Sequence, residues 1–167
     1  MVANGDVAPD FSLPLAGGGA YNDIEEFTLS RAVEDGPVVL AFVPAAFTRG
    51  CTEELCTFHD SLGGFEALDA FVAGISVDLP FALNVWRREQ GIDVPLLSDW
   101  DHEVIHAYDV VLEDMYGHLE VAERSVFVID TDRVVTWRWV RDGENPDFDR
   151  LVADVRAAVA DVTGESH

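Results

Sequence analysis

Pro44-Ala-Ala-Phe-Thr-Arg-Gly-Cys51-Thr-Glu-Glu-Leu-Cys56 holds both cysteines of the 167-residue chain and stands where an apolar strand gives way to a helix. The run Val38 to Val43 before it is apolar and β-branched, the profile of a strand buried on both faces, and Pro44 ends it because proline has no amide to donate. Thr52, Glu53, Glu54 and Leu55 read as a first helical turn with carboxylates near the positive end of the helix dipole. Cys51 is thus expected at or just before a helix N-terminus, a position that favours a thiolate. Thr48, three residues upstream, is placed to exchange a hydrogen bond with that sulfur.

Downstream, Leu55, Phe58, His59 and Leu62 continue the helix at helical spacing to an expected stop at Gly63-Gly64, and Phe71 to Ser76 reads as the next strand. Strand, helix and strand in that order predict a βαβ unit with parallel strands. Cys51 then falls at the carboxyl end of a strand, where open α/β sheets carry their sites. Further along, Asp78 is expected to cap a helix with Pro80 in its first turn and Gly91 at its end, followed by a short strand from Val94 to Leu97. A brief helix within Asp99 to Tyr108 would bury Val104, Ile105 and Tyr108. The segment from Asp109 to Glu123, with Gly117 in it, shows weak periodicity and reads as a loop or irregular hairpin. Arg124 to Asp130 and Val134 to Val140 predict a hairpin with Val135, Trp137 and Trp139 on one face, and Asn145-Pro146 opens a closing amphipathic helix from Phe148 to Val162. Before the central strand the chain is rich in turns (Pro9, Pro14, Gly17 to Gly19), with Glu25 to Leu29 as a short strand.

Composition bounds the function. Half of the chain is apolar (49%), enough for one domain over residues 1–167, and no apolar run approaches the ~20 residues that a bilayer demands. The N-terminus lacks a basic and an apolar leader region, so a cytoplasmic protein is expected. Two cysteines are too few for a disulfide-stapled scaffold and point to catalysis or metal binding. Thirty-two acidic residues face ten basic ones, all arginine, and the net charge of −22 disfavours nucleic acid and anionic membranes as partners. Scattered acids at that density repel one another at low salt and are screened at ~1 M, where the Debye length is ~3 Å, which predicts a halophile's cytoplasm.

At Pro44, Thr48 and Cys51 the chain resembles the peroxiredoxins, thiol peroxidases whose signature is Pro-x-x-x-Thr-x-x-Cys, and Glu54 sits where many members carry a glutamate. Gly5 to Phe11, Gly74 to Asp78, Pro95 to Asp99 and Arg124 to Asp130 agree in order, so the resemblance extends from Gly5 to Trp139. It implies an α/β thioredoxin-like fold, a central mixed β-sheet flanked by helices, with an N-terminal β-hairpin. A second cysteine five positions after the first is similar to the peroxiredoxin Q (bacterioferritin comigratory protein) arrangement, whereas the helix carrying Trp86 is similar to the AhpE-like branch. The resemblance further implies that Cys51 attacks a hydroperoxide and becomes a sulfenic acid, that Thr48, backbone amides and the Arg124 guanidinium stabilise the charge, and that Pro44 shields the sulfur. Cys56 is either the resolving thiol or a buried structural one, and Glu54 either an active-site carboxylate or an ordinary helix residue. Resolution through Cys56 requires unwinding, because residues five apart in a helix have Cα atoms roughly 8–9 Å apart and a disulfide requires ~7 Å or less. A thioredoxin-like dithiol is the expected reductant, and the chain is expected to be a monomer or homodimer. No Rossmann glycine pattern or phosphate loop occurs, so no cofactor is expected. Two other classes remain: a metal module built on Cys51, Cys56 and His59, which lacks a fourth ligand, and a noncatalytic thioredoxin-fold binding protein. A general disulfide oxidoreductase would carry Cys-x-x-Cys, which is absent.

Overall fold

The computed structural model describes residues 2–117 and 119–163. Its centre is β3 (Val38–Phe42), all five residues of which are buried, as continuous apolar strands in α/β sheets are. The chain leaves β3 through the loop 44–48, forms α2 (Arg49–Asp60) and the short α3 (Leu62–Glu66), and returns as β4 (Phe71–Ser76), parallel to β3 with Val38 opposite Phe71. The expected βαβ unit is therefore present. α4 (Pro80–Gln90) and β5 (Leu96–Ser98) add a second parallel neighbour beside β4. An N-terminal hairpin of β1 (Ser12–Ala16) and β2 (Ile24–Thr28), followed by α1 (Leu29–Ala32), lies antiparallel on β5. On the other side β8 (Ser125–Ile129) pairs antiparallel with β3, and β9 (Val135–Val140) with β8. The seven strands run in the order β2-β1-β5-β4-β3-β8-β9.

Alternation along β3 divides the core. Val39 and Ala41 face the layer of α2, α4 and α6 (Phe148–Thr163), with Leu55, Phe58, Leu83, Trp86, Leu151 and Val155. Val38, Leu40 and Phe42 face α1, α5 (Glu103–Ala107) and the N-terminal segment, with Leu29, Val104, Ile105 and Tyr108.

Several expectations are corrected. α2 starts at Arg49, with the Thr52 amide bonded to the Thr48 carbonyl at 3.0 Å, so the first turn holds no acidic residue and Glu53 and Glu54 come after it. The helix breaks at Ser61, before the glycines, which lie inside α3; Gly64 is there in close approach to Arg156, 3.1 Å from where a Cβ would stand. Asp78 does not cap α4. Leu79 holds that position without a side-chain bond, while the Asp78 carboxylate accepts from the Ala46 amide at 2.8 Å and from the Ser76 hydroxyl. Pro80 at the start and Gly91 in the left-handed region at the end stand as expected. The stretch expected from Val94 to Leu97 is strand only over Leu96–Ser98. Pro14 lies within β1, opposite Glu26 and beyond the two residues through which β1 meets β5, where a missing amide is tolerated. By contrast, of the two readings given for Asp109 to Glu123 the irregular hairpin is present: β6 (Val111–Met115) and β7 (Leu119–Ala122) form a separate two-stranded sheet whose register shift blurs its alternation. Val135 does not share a face with Trp137 and Trp139. A bulge shifts the register between Val128 and Ile129, sending Val135 into the α5-side core while both tryptophans pack on the α6 side.

Candidate active site

Cys51 is the third residue of α2 and is 1% exposed. Arg124 immediately precedes β8, and because Ser125 pairs with Phe42 at the carboxyl end of β3, the sheet sets that arginine beside the thiol from 73 residues away. Each nitrogen of the guanidinium has its own partner. Nη2 donates to Cys51 Sγ at 3.4 Å, Nε donates to Asn145 Oδ1 at 3.0 Å, and Nη1 stands 3.6 Å from Glu54 Oε1, an ion-pair distance too long for a hydrogen bond. The Phe148 ring, at the start of α6, lies 5.6 Å from the guanidinium carbon, within cation–π range.

Glu54 follows Cys51 by one helical turn and is wholly buried. Among the described residues neither of its carboxylate oxygens has a hydrogen-bond partner, nor has Arg124 Nη1. Burial pushes the Glu54 carboxyl up to about 7, against the pull of Arg124. This carboxyl is the acidic member of a site in which the other charge, Arg124, is also buried.

The loop before α2 is tied down from three sides. The Thr48 hydroxyl donates to the Ala45 carbonyl at 2.7 Å, so its proton is committed to the backbone, and of the two bonds with the sulfur that the sequence allows only the accepting one stays open to it. The Thr48 carbonyl accepts the Thr52 hydroxyl at 2.7 Å, and that hydroxyl accepts the indole N–H of the buried Trp86 at 3.0 Å, linking α2 to α4. Asp78 holds the Ala46 amide, as above. Phe47 takes a left-handed backbone (φ 66°), unusual for an aromatic residue, and projects outward toward the Trp86 ring, 6.3 Å between centroids.

A cavity of about 330 Å³ opens on Cys51. Pro44, Thr48, Gly50 and Arg124 form one wall, so four of the residues named by the signature and the resemblance, Cys51 included, are brought together. Leu112, Met115 and Tyr116, from β6 and the turn after it, also line the cavity, as do Arg49, Arg141 and Asn145. The sequence marks Asn145 only as the lead-in to α6 and the 109–123 segment only as a loop or irregular hairpin, and it connects neither of them, nor Arg141, to Cys51. Asn145 reaches the site through tertiary bonds to two arginines, and Arg141 follows β9 with no periodic signal. A larger cavity of about 630 Å³, between the β1–β2 hairpin and the chain near Asp93, is lined by Asp23, Glu25 and Asp93 and by neither cysteine.

Cys56 lies on the same uninterrupted helix as Cys51, and both thiols are free. It is not part of the cavity wall. Partial burial, and then the nearby Asp60, raise its thiol. Two wholly buried residues, Glu54 and Leu55, separate it from Cys51's turn. His59, the third member of the conceivable metal set, turns elsewhere: its Nδ1 accepts the Asp93 amide at 3.0 Å. Among the described residues no group of three or more His, Cys, Asp or Glu side chains is disposed to hold a metal ion, and no helix is long and apolar enough to cross a membrane.

Known proteins resemble this chain in sequence and in fold. Residues 4–138 match the AhpC/TSA family. A putative peroxiredoxin of Mycobacterium tuberculosis is 42% identical over 130 residues, covering 77% of this chain and 78% of that protein. Peroxiredoxin Bcp of Escherichia coli is 33% identical over 130 residues, 77% of this chain and 79% of that one. Among solved structures, peroxidoxin BcpB of Mycobacterium tuberculosis superposes with a TM-score of 0.83 at 33% identity, over 97% of this chain and 99% of that one. The mixed sheet with flanking helices is therefore the thioredoxin-type fold of this group.

Proposed function

The chain belongs to the AhpC/TSA family and is a thiol-dependent peroxidase, and from that premise we propose that Cys51 is its peroxidatic sulfur and Arg124 the cation that serves it. The observation carrying this reading is the 3.4 Å contact from Arg124 Nη2 to Cys51 Sγ at the floor of a cavity. The Cys51 thiolate attacks the terminal oxygen of a hydroperoxide; an S–O bond forms as the O–O bond breaks, the sulfur giving up two electrons, and the departing oxygen leaves as alcohol or water on taking a proton. Negative charge moves from sulfur to the leaving oxygen. The fixed fork of Arg124 can face both, with Thr48 and the amides of the first turn of α2 as further polar contacts. Pro44 closes the sulfur off from water, and Glu54 holds the second arm of the guanidinium.

Cys56 is the resolving thiol in this proposal. Its sulfur attacks the Cys51 sulfenic acid, the S–O bond breaks, water leaves and an intramolecular disulfide forms, which a thioredoxin-like dithiol then reduces. Both cysteines lie on one intact helix, so α2 must unwind locally first. The decisive experiment mixes the reduced protein with one equivalent of hydrogen peroxide in concentrated salt and reads intact mass and free thiols, beside Cys51→Ser and Cys56→Ser. Loss of both thiols with the mass of an internal disulfide is expected. Gain of one oxygen with Cys56 still reduced would make it a one-cysteine peroxidase, and an unreacted folded protein would refute the role of Cys51.

The net charge of −22 supports a salt-rich cytoplasm as the working environment, since ~1 M salt screens the self-repulsion of such a chain to within ~3 Å. Thermal melts followed by circular dichroism should shift down as salt is withdrawn; an unchanged melt at ~10 mM salt would refute the halophilic reading.

A further inference from the structure

The three arms of the Arg124 guanidinium are not held alike. Cys51 and Glu54, the partners of Nη2 and Nη1, both ride on α2, the helix that has to open if Cys56 is to reach Cys51. Asn145, the partner of Nε, does not. It lies between β9 and α6, and its Oδ1 also accepts Arg141 Nη1 at 3.0 Å, so both lone pairs of one amide oxygen are taken by two guanidiniums. Arg141 is fixed in turn by its amide, bonded to the Arg124 carbonyl at 2.9 Å, and by Glu123 Oε1, 2.8 Å from its Nε.

A routine role for Asn145 at the start of α6 does not account for this arrangement. The first turn of that helix is served by Asp147, whose carbonyl accepts the Leu151 amide and whose carboxylate accepts the Arg150 amide at 3.3 Å. The Asn145 side chain points the other way, with Nδ2 2.9 Å from where a Cβ on Gly50 would stand, inside the first turn of α2.

We propose that Asn145 is a positioning residue for the peroxidase reaction: it holds the Arg124 fork in register with Cys51 from outside α2, and keeps it there while α2 opens and recloses. The assignment rests on the peroxidase role of Cys51 given above. With Nε anchored, only the orientation that turns Nη2 to the sulfur is open to the guanidinium, and each reduced enzyme finds its cation already in place. Without the anchor the cation is still present but free to swing toward the carboxylate of Glu54.

The test compares two reactions of Cys51 in the full reduced chain in concentrated salt: oxidation by hydrogen peroxide in stopped flow, and alkylation by iodoacetamide read by mass. Peroxide needs the aligned cation; the alkylating agent needs only a reachable thiolate. Asn145→Ala is expected to slow the peroxide reaction about tenfold or more, what a hydrogen bond to a charged group is ordinarily worth, and to change alkylation less than about threefold. Asn145→Asp keeps an acceptor oxygen between the two guanidiniums and should retain the peroxide rate within about threefold. A peroxide rate unchanged in Asn145→Ala, an equal slowing of both reactions, or an Asp variant as slow as the Ala variant overturns the assignment. A parent protein that reacts with peroxide no faster than free cysteine overturns the role of Cys51 itself, a result told apart by the parent measurement alone.

Discussion

Gly50 offers a perturbation whose effects on stability and on activity have opposite signs. Its backbone is not in the left-handed region, and it sits in the first turn of α2, so alanine is conformationally acceptable there. On propensity alone Gly50→Ala stabilises the helix by up to about 0.5–1 kcal/mol. The new methyl, however, would stand 2.9 Å from Asn145 Nδ2 and 3.1 Å from Arg124 Nη2, the nitrogen that faces Cys51 Sγ. Ordinary contact lies at about 3.5–4.0 Å, so each group must retreat by about half an ångström. Asn145 is tied through its Oδ1 to Arg124 and Arg141, and Arg124 is buried against Glu54 and Phe148, so the contact is relieved only as the guanidinium leaves the sulfur. Retreat of the guanidinium from the methyl relieves the contact with little strain left in the folded state, and the alignment lost in the transition state, about 1.5 kcal/mol, corresponds to a rate about tenfold slower. The expected outcome is a melting temperature equal to or above that of the parent, together with a second-order rate constant for peroxide about tenfold lower in stopped flow. A variant as fast as the parent would show that the guanidinium position is not what sets the rate, and the account of Arg124 would fall with it.

Two further outcomes follow from neighbouring contacts. Glu54 titrates at about 7 in the folded chain against an ordinary 4.5, so between those values the folded state keeps a proton that the unfolded state has released. Its contribution to stability is then complete below about pH 4.5, declines as the pH rises, and is gone above about pH 7, by an amount of about 3 kcal/mol. Urea titrations across that window should show a shallower decline for Glu54→Gln than for the parent; parallel curves would refute the burial argument. Replacing Trp86 by Phe removes the indole bond to Thr52 at 3.0 Å and leaves a smaller ring in a buried site. A loss of about 2 kcal/mol is expected in denaturant titrations, and equal midpoints for Trp86→Phe and parent would show that this link does not brace the loop.

What the chain disclosed in advance was local. The β3–loop–α2 crossing, the unbroken apolar run Val38 to Val43 and the spacing of Phe148, Leu151, Val152 and Val155 are short-range patterns, and each folds as its pattern requires. Cys51 was identifiable because strand, proline, threonine and helix meet within a dozen residues. Arg124 needed the family resemblance, since nothing in the neighbourhood of a strand start marks one arginine among ten. Asn145 is visible in the sequence only as a helix lead-in, because its partners lie just before β8 and just after β9 and no local rule connects them. The same limit explains Val135: one extra residue in β9 reverses the faces, and a bulge has no signature in an apolar alternation that looks regular. Asp78 was assigned to the helix that follows it, whereas a tertiary acceptor site for Ala46 prevailed over capping.

Leu55 bears on how long the oxidised enzyme must wait. It sits between Cys51 and Cys56, wholly buried, with a terminal carbon 3.1 Å from the position a Cβ on Gly74 would take, so α2 rests almost directly on the backbone of β4 at this point. On the resolving route, that side chain has to leave the core at a cost of about 2 kcal/mol before the two sulfurs can meet. The sulfenic acid on that route would have a dwell time set by the pace of this local opening, a conformational clock independent of peroxide concentration. When peroxide is scarce the clock is harmless. When it is abundant, a second molecule arrives before the helix opens and carries Cys51 on to the sulfinic acid, an oxidation state that Cys56 cannot reverse. On that route the tight seat of one leucine would set the oxidant dose at which the protein ceases to be a catalyst and is consumed as a scavenger.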